Sequence, residues 1–444
     1  MIRIILIILF LTPLIFINFS YLLIQFIYIF MYIFFLSSGC NSYLGKISYF
    51  FGVDIYSYGL ILIIIIISSY IIMSIINSRN LIMFMFINLL IREFLLFIFG
   101  SLNFLYIYIS FEFVLFPLLI LILGWGYQPE RLIAGIYLLF YTVFLSLPLF
   151  ILILWLFYNL GSLFFDIMKL NTNFFLTYFI IVIVFIVKLP MCFVHFWLPK
   201  AHVQAPVSGS IILAGLILKI GGYGLIRIVY IVESIFVKYS FIWYSLCIVG
   251  SLIISIICLL QADIKCLIAL SSVSHMGIVI IGLITTRSWG LIGSYLLILG
   301  HGFCSSGIFY MANIFYIRTL SRRFFINKGF LFYLPRCSII WFILCIFNIG
   351  CPPRINFLRE LIILRRIISF WVSSLYFFAL TSFFCACFSY YLYRYRQHGL
   401  FQNLYRFSVT NLVEFINLLI HLVPLFVIPL ILIIFFYLSS LIKI

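Results

Sequence analysis

Six ionisable side chains sit in stretches so apolar that a charge there is costly. Glu112 lies in YISFEFVLFP, Lys188 in FIVKLP, Lys219 in AGLILKIGGYG, His275 in SSVSHMGIV, His301 in LILGHGFCSSG and Glu360 in FLRELIIL. Each charge costs about 2.5–3.5 kcal/mol at the centre of a bilayer. A lysine can escape by stretching to an interface. Glu112 has no such stem, and apolar sequence continues past Lys188 through MCFVHFW. What carboxylates, amines and imidazoles share is the ability to take up and release a proton. Burial favours the neutral amine and a nearby carboxylate favours the ammonium, so a Glu112–Lys188 pair would titrate as a unit. Protonating the acid would release the amine's proton. Imidazoles hand protons on near neutral pH. The plainer alternatives are a hydrogen-bonded packing histidine and a snorkelling lysine. His195 and His202 flank a loop and are weaker candidates; His398 and His421 carry little signal.

Something must position these groups at depth. Pro190 follows Lys188 by two residues, and a proline removes a helical hydrogen bond and clashes with the preceding turn. A second interruption, GCPPRIN with Pro352 and Pro353, comes five spans later and is followed by Glu360. Carbonyls freed at a break can hold water or a cation where continuous helix cannot. Two breaks at matching places point to inverted repeats.

The elements carrying these breaks are membrane helices. The 444 residues are 67% hydrophobic, 20% aromatic and 8% charged, against about 25% charged in a soluble domain. Repeated apolar runs of roughly 20 residues are what a bilayer-spanning helix needs. The sequence therefore predicts an all-α polytopic membrane protein of about fourteen helices. The seventh span is expected over 174–199, the ninth over 241–260 and the twelfth over 336–364. The N-terminal run lacks a signal-peptide cleavage pattern and reads as a retained helix. Abundant Ile and Phe with little Ala fit an AT-rich organelle genome.

Charge orients the array. Arg79, Arg131, Lys200, Lys265, Arg318, Arg322, Arg323, Lys328, Arg336, Arg394, Arg396 and Arg406 fall on one side; Lys46, Lys169, Lys238 and Arg287 fall on the other. The basic side is expected to face the matrix, with both termini opposite. The net charge of +17 then suits anionic lipid. It is not gathered into one patch, which argues against nucleic acid. Eleven cysteines include no CxxC and no spaced Cys/His set, so no metal or cluster is expected.

VKLPMCFVHFWLPKAHVQAPVSGSIILAGLILKIGGYGLIRI and QADIKCLIALSSVSHMGIVIIGL resemble the antiporter-like subunits of respiratory complex I. FEFVLFPLLILILGWG, GHGFCSSGIFYMANIFYIR and PPRINFLREL follow in the order of that family's other motifs. The resemblance covers roughly residues 50–400. It implies two inverted five-helix repeats, over 81–230 and 241–400, with broken helices at the seventh and twelfth spans. Residues 1–80 would hold the first three helices and 412–444 the last. It implies proton pumping across the mitochondrial inner membrane, driven by NADH oxidation and ubiquinone reduction in other subunits. Glu112 matches the family's glutamate of the fifth helix, Lys188 its broken-helix lysine and Lys219 its central lysine. His275 and His301 match its axial histidines, and Glu360 the acid of its second broken helix. The family holds no flavin, cluster or quinone in this chain; NADH, FMN, iron–sulfur clusters and ubiquinone belong to other subunits. Its partners are the other membrane subunits, especially the sister antiporter-like subunits 2 and 5, and phospholipids including cardiolipin.

Two departures stand out. Gln204 replaces a glutamate found in many members and is expected in a loop, with little effect. Arg354, Arg359, Arg365 and Arg366 crowd one span, at a cost of about 10 kcal/mol together. Several invertebrate mitochondrial codes read AGA and AGG as serine, so some of these, with Arg92 and Arg323, are expected to be serines printed as arginine. Three rival functions stay open: a free-standing cation/proton antiporter, a passive structural subunit and a quinone-binding subunit.

Overall fold

The computed structural model describes residues 2–17, 21–38, 46–48, 50–74, 80–168, 174–351, 355–399 and 410–441. They form two compact units, Met1–Cys247 and Ile248–Ile444.

In the first unit, α1 (Ile2–Phe10), α2 (Thr12–Ile15) and α3 (Tyr21–Ser38) precede a short antiparallel hairpin of β1 (Lys46–Ser48) and β2 (Phe51–Val53), with Ile47 opposite Gly52. Then come α4 (Ile55–Ser74), α5 (Leu81–Gly100), α6 (Phe104–Phe113), α7 (Leu115–Trp125), α8 (Arg131–Leu160), α9 (Phe175–Lys188), α10 (Trp197–Gln204), α11 (Val207–Ile212), a π-turn over Leu213–Ile217, α12 (Leu218–Ile231) and α13 (Glu233–Leu259). The division between the units falls inside α13. The second unit continues with α14 (Ile264–Ile284), α15 (Ser288–Thr319), α16 (Phe330–Tyr333), α17 (Pro335–Ile349), α18 (Ile355–Phe370), α19 (Ser374–Gln397) and α20 (Leu412–Leu441).

Among the described residues, ten helices are long and apolar enough to cross a membrane; the apolar helices Ile2–Ile15, Phe175–Lys188, Pro335–Ile349 and Leu412–Val427 are shorter. Ten of the described helices meet that length and hydropathy, against the about fourteen spans read from the sequence. Burial separates centre from rim. The most apolar 18-residue stretches of 207–231 in the first unit and of α14 in the second are buried throughout, whereas only a third of the corresponding stretch of α8 or α19 is. The buried segments carry Lys219 and His275.

The seventh span stops where proline was expected to stop it. α9 ends at Lys188, Pro190 follows, and α10 starts only at Trp197. Phe193, inside the gap, sits at φ 80°, a region a bulky side chain rarely enters. The Trp197 indole donates to the Val187 carbonyl at 3.2 Å, satisfying an acceptor the interrupted helix cannot pair. The twelfth span breaks between α17 and α18, after Gly350 at φ 82°. There the Asn356 side chain donates to the Phe347 carbonyl. Each break is thus tied by a side chain from downstream reaching back to a stranded carbonyl. Pro352 and Pro353 lie outside the described residues.

Two expectations need correction. The ninth span begins at Glu233, eight residues before the expected 241, because Glu233 and Lys238 lie on a helix whose end faces outward rather than in a loop. Gln204 is not in a loop either. It is the last residue of α10, is buried, and donates from Nε2 to Glu130 at 3.0 Å.

Candidate functional site

In the first unit, Lys188 is the final residue of α9 and is buried. Its Nζ lies 3.9 Å from the centre of the Phe111 ring. Glu112, the next residue on α6, is half-buried and keeps one carboxylate oxygen, Oε1, enclosed without a hydrogen-bond partner. The two charges are within electrostatic reach of one another, without the direct contact of an ion pair, and Ser146 of α8 stands beside the carboxylate. Val114, two residues after Glu112, keeps helical dihedrals, so that α6 and α7 run on as one span, Phe104–Trp125. Pro117, three residues on, has no N–H for the Phe113 carbonyl. The amine thus sits at a helix end, and the acid in a continuous span just ahead of a proline.

The ledge behind Lys188 is built from glycine. A Cβ on Gly221 would meet the Leu189 backbone nitrogen at 2.7 Å, and one on Gly224 would meet the Phe185 ring at 2.0 Å. The run KIGGYG lets α12 press against the broken end of α9, as small residues do between membrane helices. Lys219 opens that run. Its buried ammonium donates to the Ala214 carbonyl, inside the π-turn that precedes α12. A π-turn exposes carbonyls that ordinary helix would consume, and such turns cluster at functional sites.

Below Lys219 on the same helix face come Tyr223 and Arg227. Arg227 forms a buried ion pair with Asp54, just before α4. It also donates from Nε to the Tyr223 hydroxyl at 3.0 Å, and that hydroxyl donates to the Phe99 carbonyl at 3.2 Å. Asp166, in the loop after α8, is held above the ordinary carboxylate range by burial, with Arg227 pulling the other way. Sequence reasoning missed this cluster. Its one signal was the four-residue spacing Lys219, Tyr223, Arg227, which puts the three on one face.

In the second unit, His275 of α14 and His301 of α15 are buried with ring centroids 5.7 Å apart. Neither nitrogen of His275 has a partner at hydrogen-bonding geometry, although Asn348, near the end of α17, and Arg359 of α18 lie close by. Glu360 packs its carboxylate on Gly350, the residue that ends α17: a Cβ there would lie 3.0 Å from both oxygens. The second broken helix therefore holds an acid against its stop residue, as the first ends on an amine.

The structure thus groups Glu112 with Lys188 in one unit, sets Lys219 on the helix that packs behind them, and groups His275, His301 and Glu360 around one helix break in the other. Of the suspect arginines, Arg92 and Arg359 are fully buried, Arg366 is half-buried, Arg323 and Arg365 are exposed, and Arg354 lies outside the described residues.

Residues 101–389 match the family described as NADH:quinone oxidoreductase/Mrp antiporter, TM. The NADH-ubiquinone oxidoreductase chain 4 of Ceratitis capitata is 44% identical over 436 residues, 96% of this chain and 97% of its own length. This chain belongs to the NADH-ubiquinone oxidoreductase chain 4 family. The chain 4 of Aedes aegypti is also 44% identical, over 88% of this chain and 90% of its own. Among solved structures, a chain of respiratory complex I from Thermus thermophilus with bound NADH superposes with a TM-score of 0.86 at 18% identity, covering 95% of this chain and 93% of that one. A chain of the Mrp complex from Dietzia sp. reaches 0.74 at 15% identity, covering 79% and 68%. The antiporter-like fold read from the motifs is the fold of this chain 4 relative.

Proposed function

We propose that this chain is a membrane-arm subunit of respiratory complex I that carries protons through Glu112, Lys188, Lys219, His275, His301 and Glu360. The observation that carries the reading is the setting of Lys188. A fully buried amine ends a proline-broken helix, within reach of a carboxylate five residues ahead of Pro117, on a ledge of glycines. An amine placed so is balanced between its two protonation states. Any shift of the Glu112 charge tips it, and the proton moves on to a neutral Lys219 amine that has already passed its own proton onward, the Ala214 carbonyl of the π-turn accepting a hydrogen bond from that nitrogen throughout.

On this reading the protein lies in the mitochondrial inner membrane, basic loops toward the matrix and both termini on the opposite side. Residues 81–230 and 241–400 are the two inverted repeats, flanked by 1–80 and 412–444. The chain contributes no redox step. NADH, FMN, iron–sulfur clusters and ubiquinone act in other subunits, and the neighbours are sister antiporter-like subunits 2 and 5, with cardiolipin at the rim. The identity to chain 4 relatives over nearly full length supports this above a free-standing antiporter.

Lys188→Met in the assembled complex, in inner-membrane vesicles, tests it. NADH-driven proton uptake should fall roughly tenfold or more, the scale of losing a positioned proton-transfer group. Undiminished uptake would end the proposal.

A further inference from the structure

The second unit holds a buried polar seam that the six residues do not use. It runs between α15 and α20. α20 is long and apolar, yet Glu414, Asn417 and His421 recur on it at spacings of three and four, which places them on one face. Each meets a polar group of α15. Arg318 Nη2 donates to Glu414 at 2.7 Å, Asn417 Nδ2 donates to the Tyr310 hydroxyl at 3.2 Å, and His421 Nδ1 shares a hydrogen bond with the Ser306 hydroxyl at 3.3 Å. The Tyr310 and His421 rings lie 6.0 Å apart.

The seam is graded from outside to inside. Glu414 keeps 18% of its side chain exposed, whereas Asn417 and His421 are wholly buried. Its outer end lies where α20 begins and α15 ends, beside the loop of Arg322, Arg323 and Lys328. Its inner end, Ser306, is five residues, about 7.5 Å of rise, along α15 from His301. Burying three polar rungs between apolar helices is costly unless each finds a partner; Glu414 compensates the buried Arg318, but a clamp alone would not need an imidazole at the end.

We propose that Glu414, Asn417 and His421, with Tyr310 and Ser306, form a proton-loading branch from the basic end of the second unit toward His301. A proton taken from water by the Glu414 carboxylate passes to His421 by way of the Tyr310 hydroxyl, which takes up one proton as it gives up its own, while the Asn417 amide orients that hydroxyl without carrying a proton. The imidazole accepts it at one nitrogen and releases one from the other, ending unchanged. Arg318 holds the carboxylate in place at the mouth, and the Cys337 thiol and the Tyr310 phenol are the other titratable groups that face it. The branch rests on the proton-carrying reading above and adds the route by which the second unit is filled.

The test uses the assembled complex in vesicles. Deuterium exchange at the imidazole C2 position, read by peptide mass, reports whether a histidine meets water. Despite its burial, His421 should exchange within about tenfold of the exposed His398, and Asn417→Leu should slow it by about tenfold or more. His421→Gln should lower protons taken up per NADH by roughly twofold or more, at unchanged levels of assembled complex. An exchange-silent His421 together with normal uptake in His421→Gln would overturn the branch. Lys188→Met, run alongside, separates the two claims. If it disables uptake while His421→Gln does not, the branch alone falls; if both are silent, the parent reading falls with it.

Discussion

The ammonium of Lys188 rests 3.9 Å above the ring of Phe111, the residue beside Glu112. One turn of α6 therefore presents the amine with both an aromatic face and a carboxylate. The ring can hold a cation without accepting its proton, which the carboxylate would do.

Removing that face should bias the amine toward its neutral form. A desolvated cation–π contact contributes about 2 kcal/mol, and Phe111→Leu keeps the apolar volume while deleting it. We expect NADH-driven proton uptake to drop severalfold in Phe111→Leu with assembly intact, and to stay near normal in Phe111→Tyr. Equal uptake in the two variants would show that the ring only fills space.

The glycine ledge gives a test of packing. Gly224→Ala would drive a methyl into the Phe185 ring, and Gly221→Ala into the Leu189 backbone. Overpacking of this kind costs about 1–3 kcal/mol. Both variants should lower the melting temperature of the assembled complex, Gly221→Ala more, because backbone yields less than a ring. Gly124→Ala, where a Cβ meets nothing within 4 Å, is the control and should melt as the parent does.

The Asp54–Arg227 pair is enclosed from both sides. Breaking one partner of a buried pair costs about 3–5 kcal/mol, while replacing both by apolar residues is often neutral. Arg227→Met or Asp54→Leu alone should therefore destabilise the complex strongly, and the double variant should recover most of the loss. A double variant as unstable as the sum of the singles would mean the two do not act as a pair.

Arg92, Arg359 and Arg396 are fully buried, each keeps a guanidinium nitrogen without a partner, and none forms an ion pair. Arg227 and Arg318 are buried as well, but each holds a carboxylate. An uncompensated buried cation is worth several kcal/mol of instability, a burden a serine would not impose. Peptide sequencing of the natural protein should find serine at 92, 359 and 396 and arginine at 227 and 318. Tryptic cleavage after residue 359 or 396 would refute this.

What could be read from the sequence were the features with local causes. Pro190 stops α9 within two residues of the expected place, and buried charges flag themselves by cost alone. The π-turn was invisible, because LAGLI contains nothing that a normal helix would refuse; the widening shows itself in the Lys219–Ala214 bond. The Asp54–Arg227 pair was invisible for another reason. Its members are 173 residues apart, and no local pattern says which acid meets which base. His421 was read as carrying little signal because a single histidine is judged by its own segment, whereas its meaning lies in Ser306 and Tyr310 on another helix.

The widened turn ahead of Lys219 is a one-residue insertion in the helical screw. Each residue advances an α-helix by about 100°, so ironing the insertion out would swing the amine by more than a quarter circle while its neighbours on α9 stayed put. The direction in which that proton donor looks is therefore set by the pitch of five residues, and a local rewinding could redirect it without any rocking of whole bundles.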